Sequence, residues 1–247
     1  MSNGKRVVEI CVDRVRSALN AELAGAHRIE LCQDLSVGGT TPSYGLIVST
    51  MRKCQLPIAV MVRPRGGDFC YDAFEFSGML DDIKMMKDLG VKEIVTGVLL
   101  PSGELDVDKM KIIIDAAKPM KVVLHRAFDM TKDLEKTLSQ AKDLGITRIL
   151  TGGGMQKASD GLDMLRCLLK QAGDVTIMPG SGINAENVTS FMEAGFTELH
   201  LSGKLAVDSK MEYRREGLSM GASSADLEYV IDEANVEKIE TVIQQCK

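Results

Sequence analysis

Val7-Val8-Glu9-Ile10-Cys11 and Arg28-Ile29-Glu30-Leu31-Cys32 are the first two apolar runs of the chain, and both end in carboxylate, aliphatic residue and thiol. Side chains alternate faces along a strand, so each glutamate shares a face with its own cysteine while the aliphatic residue points away. Two such strands side by side gather two thiols and two carboxylates. Buried carboxylates are costly unless paired, and thiols serve mainly reactivity or soft metals. The pattern therefore reads as a metal site, a catalytic site or an awkwardly packed barrel end. Between the runs, Asp13 to Ala24 carries Val15, Ala18, Leu19 and Leu23 at helical spacing with Asp13 placed to cap it, which makes the stretch a strand-helix-strand unit.

The same alternation continues outward from this unit. Further strands are read at Ile58 to Arg63, Glu93 to Thr96, Lys121 to Leu124, Arg148 to Leu150, Val175 to Met178 and Thr197 to His200. Helices are read from Pro42-Ser43 to Cys54, Asp72 to Leu89, Val107 to Ala117, Thr131 to Leu144 with Thr131 as cap, Gly161 to Gln171, and Asn184 to Glu193. Gly25, Gly90, Gly145 and Gly195 fall just before strands, where a helix C-terminus needs a left-handed residue. Eight βα units in 247 residues fit a single α/β domain, a (β/α)8 TIM barrel. A doubly wound open sheet is the competitor, but it has fewer strands, and no GxGxxG follows the first strand. The barrel is placed at about 7–203 with a C-terminal helical extension over 204–247, in which Glu228 to Gln245 closes the barrel. Lys204 to Asp226, rich in Ser, Met, Arg and Gly, is a lid or a mobile connection.

Composition narrows the function. With 45% hydrophobic and 26% charged residues the chain is an ordinary globular protein, and a net charge of −5 without a basic stripe argues against nucleic-acid binding. No run is fit to span a membrane, and the polar Met1 to Lys5 carries no signal-peptide core. A cytoplasmic, or also nuclear, setting follows as the expectation, with the six cysteines as reduced thiols. No CxxC spacing marks a structural zinc site. The fifteen methionines, scattered over helices, read as core filling.

In a barrel the chemistry gathers at the C-terminal ends of the strands. There Arg28 and Arg63 can pair with Glu9 and Glu30, forming an ionic layer. Arg65, followed by Gly66-Gly67-Asp68, is free to reach an anion. Cys11 and Cys32, on adjacent strands, offer two-coordinate binding to Cu(I); the alternative is two small reduced side chains in a packed rim. Gly180-Ser181-Gly182 after the seventh strand and Ser202-Gly203 after the eighth occupy the loops that bind phosphate in many barrels, with Thr151-Gly152-Gly153-Gly154 nearby. His125, within His125-Arg126-Ala127-Phe128-Asp129, is a candidate general acid or base, or a barrel-lining imidazole bonded to a carboxylate. His200 also sits at a strand end, whereas His27 opens its strand at the opposite rim as a surface residue.

These segments, together with Gly38-Gly39-Thr40-Thr41-Pro42-Ser43, Arg63-Pro64-Arg65-Gly66-Gly67-Asp68-Phe69 and Met178-Pro179-Gly180, resemble the CutC copper homeostasis family over almost the whole barrel. The resemblance implies a (β/α)8 barrel, a homo-oligomer, and a Cu(I) site on Cys11 and Cys32. Gly152 stands where members often have serine, and Ser181 where they often have glycine. Two functions follow as expectations: a Cu(I)-binding homeostasis protein, or an enzyme acting on a small anionic or phosphorylated substrate. In the second, Arg63, Arg65 and the Gly180 to Gly182 loop bind the anion, and His125 or Glu30 moves protons.

Overall fold

A computed structural model describes residues 6–221 and 224–247, apart from the Asp226 side chain. The Met1 to Lys5 segment and, within 204–226, Ala222, Ser223 and the side chain of Asp226 lie outside the described residues. Eight parallel strands form one sheet: β1 (Val7–Val12), β2 (Arg28–Leu31), β3 (Ile58–Met61), β4 (Glu93–Thr96), β5 (Lys121–Leu124), β6 (Arg148–Thr151), β7 (Thr176–Pro179) and β8 (Glu198–Leu201). Their order is β7-β6-β5-β4-β3-β2-β1-β8, and a parallel bridge between Gly180 and His200 brings the two ends together. The result is a nearly closed (β/α)8 barrel.

Helices α1 (Val15–Leu23), α2 (Tyr44–Lys53), α3 (Ala73–Asp88), α4 (Val107–Ala117), α5 (Leu134–Asp143), α6 (Leu162–Gln171) and α7 (Val188–Glu193) alternate with the strands. Gly25, Gly90, Gly145 and Gly195 take left-handed φ of 83°, 80°, 73° and 98° at the ends of α1, α3, α5 and α7, as the helix-to-strand turns require. Alternate strand residues, such as Ile10, Ile29, Val60, Ile94, Ile149 and Leu199, belong to the large core shared with the helices. Their neighbours Ala59, Met61, Val95 and Val123 form a small second cluster with Cys32 inside the barrel. Leu150 and Met178 add apolar side chains to the interior, which otherwise carries the charged residues of β1, β2, β4, β6 and β8.

Three local expectations are corrected. Asp13 does not cap α1; its carboxylate takes a bond from Arg14 Nε at 3.1 Å, and Arg14 occupies the cap position without a side-chain bond to the helix backbone. Thr131 does not cap α5, because its hydroxyl closes the preceding turn by donating to Phe128 O at 2.8 Å; Asp133 caps the helix through Lys136 N. Helix α7 starts at Val188 rather than Asn184, since Asn184 and Asn187 form a side-chain-bonded turn.

The extension also differs from its expected form. It begins as an antiparallel hairpin, β9 (Lys204–Asp208) with β10 (Val230–Ala234), and only then becomes helix α8 (Val236–Gln245), capped by Asn235. The hairpin base is tied to α1, where Ala234 N donates to Ser17 Oγ at 3.1 Å and Asn20 Nδ2 donates to Ala234 O at 2.9 Å. Among the described residues, no helix is long and apolar enough to cross a membrane.

Candidate functional site

Inside the barrel, charged side chains project from β1, β2, β4, β6 and β8 to form an alternating chain. Glu93 takes a bond from Arg148 NH1 at 2.7 Å, Arg148 Nε donates to Glu198 at 2.7 Å, and Arg28 NH2 donates to the same Glu198 oxygen at 2.6 Å. Arg28 Nε then pairs with Glu9, whose other oxygen meets His200 Nδ1 at 2.7 Å. Burial pushes the Glu9 carboxyl up, but the His200 bond and the Arg28 charge outweigh it and hold the group at about 2. Burial lowers the Arg28 pKa, and Glu9 and Glu198 more than reverse that.

The ionic layer thus exists with a different membership from the one expected. Arg148 takes the place given to Arg63, and Glu30 stands outside it. Register explains the second point: Glu9 faces Arg28, whereas Cys11 faces Glu30, so Glu30 lies one step nearer the mouth, level with Cys11.

Around Glu30 the thiols assemble. Cys11 Sγ lies 3.1 Å and Cys32 Sγ 3.5 Å from Glu30 Oε2, and the two sulfurs are 3.7 Å apart. His200 Nε2 approaches the same carboxylate oxygen at 3.8 Å, and ligand atoms of Cys11, Glu30 and His200 lie within 4.8 Å of one another. Glu30 Oε1 is buried without a partner. The bond to Cys32, working against burial and assisted by His200, brings the Cys11 thiol down to about 5. The same bond together with burial raises Cys32. Burial and the Cys11 charge raise Glu30; for His200 the opposing burial is overcome by Glu30, Cys11 and Glu9, which raise it.

Backbone geometry lets the loop after β2 close on this cluster. Gly39 has φ of 88°, and a Cβ there would sit 3.1 Å from Cys32 Sγ. Arg63 is buried and holds the loop in place: NH1 donates to Val37 O and Gly39 O, and NH2 to Gly67 O, each at 2.8 Å.

Across the barrel, His125 follows β5 with its ring 4.7 Å from Phe69. Its Nδ1 accepts from Ala127 N at 3.1 Å rather than meeting a carboxylate. Burial, with the Arg63 charge behind it, pushes His125 down to about 3, so the ring is neutral. Asp129 is consumed by Thr151 Oγ1, Gly152 N, Gly154 N and Arg126 Nε, and thereby orders the glycine-rich loop after β6.

Arg65 does not reach free toward an anion, because its guanidinium is occupied by Glu75 at 2.5 Å and Asp68 at 3.1 Å. Gly180 is packed tightly, with a Cβ position only 2.4 Å from Leu150, and that of Gly203 would fall 2.5 Å from Ile239. Ser181 and Gly182 line the mouth with Ser202. Ser181 adopts φ of 83°, a conformation glycine reaches at no steric cost. His27 is half-buried, and its Nδ1 accepts from Val8 N at 3.1 Å.

The mouth encloses a cavity of about 720 Å³ to which Cys11, Glu30 and His200 contribute one wall and His125, Phe69 and Arg63 another. Sequence reasoning noted His200 but did not assign it to the site. Its signal was positional, since His200 lies opposite Glu9 in the β1–β8 register.

The molecule is thus a (β/α)8 barrel with a thiol, carboxylate and imidazole cluster at the C-terminal mouth. Residues 6–205 match the CutC family, and the chain belongs to it. A CutC family protein of Klebsiella pneumoniae is 42% identical over 240 residues, 96% of this chain and 97% of that protein. The human protein named copper homeostasis protein cutC homolog is 41% identical over 238 residues, 96% of this chain and 87% of its own length. A crystal structure of a CutC protein from Streptococcus agalactiae superposes with a TM-score of 0.75 at 31% identity, covering 80% of this chain and 98% of that one.

Proposed function

We propose that this protein serves copper homeostasis by binding Cu(I) as its cargo through Cys11 and Cys32, with His200 and Glu30 completing the donor set. The observation that carries the reading is the pair of sulfurs 3.7 Å apart with two further donors beside them. Thiolates select soft ions such as Cu(I), and imidazole suits copper as well. The separation also bears on coordination number. Taking the metal–sulfur bond of about 2.3 Å known for zinc thiolates, a linear bridge needs sulfurs about 4.6 Å apart, whereas a bent one suits the observed gap. A bent pair leaves room for a third donor, and this favours three or four ligands over the two expected from the thiols alone.

The reading is tested by anaerobic Cu(I) titration against a strong competing chelator. One tight site is expected, lost in the Cys11→Ser, Cys32→Ser double variant and weakened in His200→Ala. Unchanged affinity in the double variant overturns it. A reducing cytosolic or nuclear setting suits such thiols. Homo-oligomerisation is part of the same reading, supported by exposed Leu205, Met211, Tyr213, Leu218 and Met220 in and beyond β9, and sedimentation velocity reads it directly.

A further inference from the structure

The cavity is far larger than an ion needs; about 720 Å³ falls in the range of pockets that hold small organic molecules. The wall opposite the thiols carries a polar group that nothing in the protein satisfies. Since His125 Nδ1 accepts from Ala127 N, the ring proton resides on Nε2, and that N–H is buried with no partner. Buried donors are almost always bonded, so an orphan at a cavity wall marks a place where an acceptor belongs.

A second observation fixes the sign of that acceptor. Arg63 is 5% exposed and donates only to uncharged backbone carbonyls; among the described residues no carboxylate pairs with it. Its charge is felt at His125. Asp129, the acidic residue nearest in sequence to His125, spends its oxygens on Thr151, Gly152, Gly154 and Arg126. A water molecule would satisfy Nε2 but would leave the Arg63 charge unbalanced, and a metal cation would be repelled.

We propose that the β3 and β5 wall of the mouth is a subsite for the oxyanion group, carboxylate or phosphoryl, of a small organic molecule, whose oxygen accepts from His125 Nε2–H in the field of Arg63. Met61, Phe69, Leu150 and Ile183 give the body of that molecule an apolar surface. The subsite is separate from the thiol cluster and does not depend on copper binding. It also lies apart from Arg65, whose charge is already paired.

The test uses the full, metal-free chain carrying nitrogen-labelled histidine, titrated separately with inorganic phosphate and with succinate. Proton–nitrogen NMR of the imidazoles should show saturable movement of the His125 signals with at least one anion, Nε2 keeping its proton. A response to phosphate alone assigns a phosphoryl ligand, and one to succinate alone a carboxylate. Thermal stabilisation by the same anion should report about tenfold weaker binding in His125→Phe, the loss expected for one charge-assisted bond. The response should persist in the Cys11→Ser, Cys32→Ser variant, which separates this proposal from the copper reading. It is overturned if neither anion moves the His125 signals of the wild-type protein, if His125→Phe binds as tightly, or if the cysteine variant abolishes the response.

Discussion

The two depths of the barrel interior use the same residue types to opposite ends. At the lower level Glu93, Arg148, Glu198, Arg28 and Glu9 alternate in sign, and each carboxylate meets at least one guanidinium. At the mouth, Glu30 leaves an oxygen unpartnered, His125 after β5 leaves an N–H unpartnered, and two thiols stand free of any disulfide. The lower layer is finished by the protein itself. The mouth keeps polar groups that the protein does not pair.

Removing a member should therefore have unequal consequences. The largest effect is expected for Arg148→Ala, which strips Glu93 and Glu198 of a buried partner and should cost about 3–5 kcal/mol in urea unfolding. A loss below about 1 kcal/mol would erase the distinction, since that is the scale of an exposed pair.

The two glutamates of β1 and β2 should then respond with opposite signs in the metal-free protein. Glu9 has a folded pKa of about 2 against an ordinary 4.5, so its stabilisation is present above 4.5 and is lost as pH falls toward 2. Glu9→Gln should lose about 3 kcal/mol at neutral pH and flatten that acid limb. Glu30 is raised instead, so it subtracts stability as pH climbs above 4.5. Glu30→Gln should gain about 1 kcal/mol at mildly alkaline pH and little in acid, as denaturant melts at the two pH values will show.

His125 supplies a third contrast. Between its ordinary 6.5 and about 3 the unfolded imidazole takes a proton that the folded one refuses, so stability falls with pH across that window. His125→Phe should flatten thermal stability there while leaving the Glu9 limb in place. The smallest effect belongs to Gly39→Ala, which forces an L side chain into φ of 88° beside Cys32. About 1 kcal/mol is expected, with a measurable weakening of Cu(I) retention.

Much of the fold is legible in the sequence because each parallel strand is a short apolar run, and the four glycines before β2, β4, β6 and β8 mark helix ends. Caps were harder to read. Asp13 and Thr131 are good cap residues by type, but each has a nearer partner, Arg14 or Phe128 O. The β9–β10 hairpin escaped notice because its strands are separated by the long 209–229 stretch and lack a tight turn between them. Of the site, the thiol pair was visible from the repeated Glu-aliphatic-Cys pattern. The separation of Glu9 from Glu30 was not, since it depends on a two-residue stagger between β1 and β2. His200 was likewise hidden, because its neighbour Glu9 is 191 residues away.

That distance bears on how the protein is made. β1 has β2 on one side and β8 on the other, so during synthesis one edge stays open until the last part of the chain has emerged. Arg6 also waits for its partner, the Cys246 carbonyl, and α1 for the returning Ala234. A nascent chain can line up the seven strands from β1 through β7, each beside the next, but it has no His200 imidazole for the cluster before β8 arrives. The Cys11, Glu30 and His200 cluster is therefore among the last parts of the molecule to assemble, and a truncated or stalled chain carries the thiols without their imidazole neighbour.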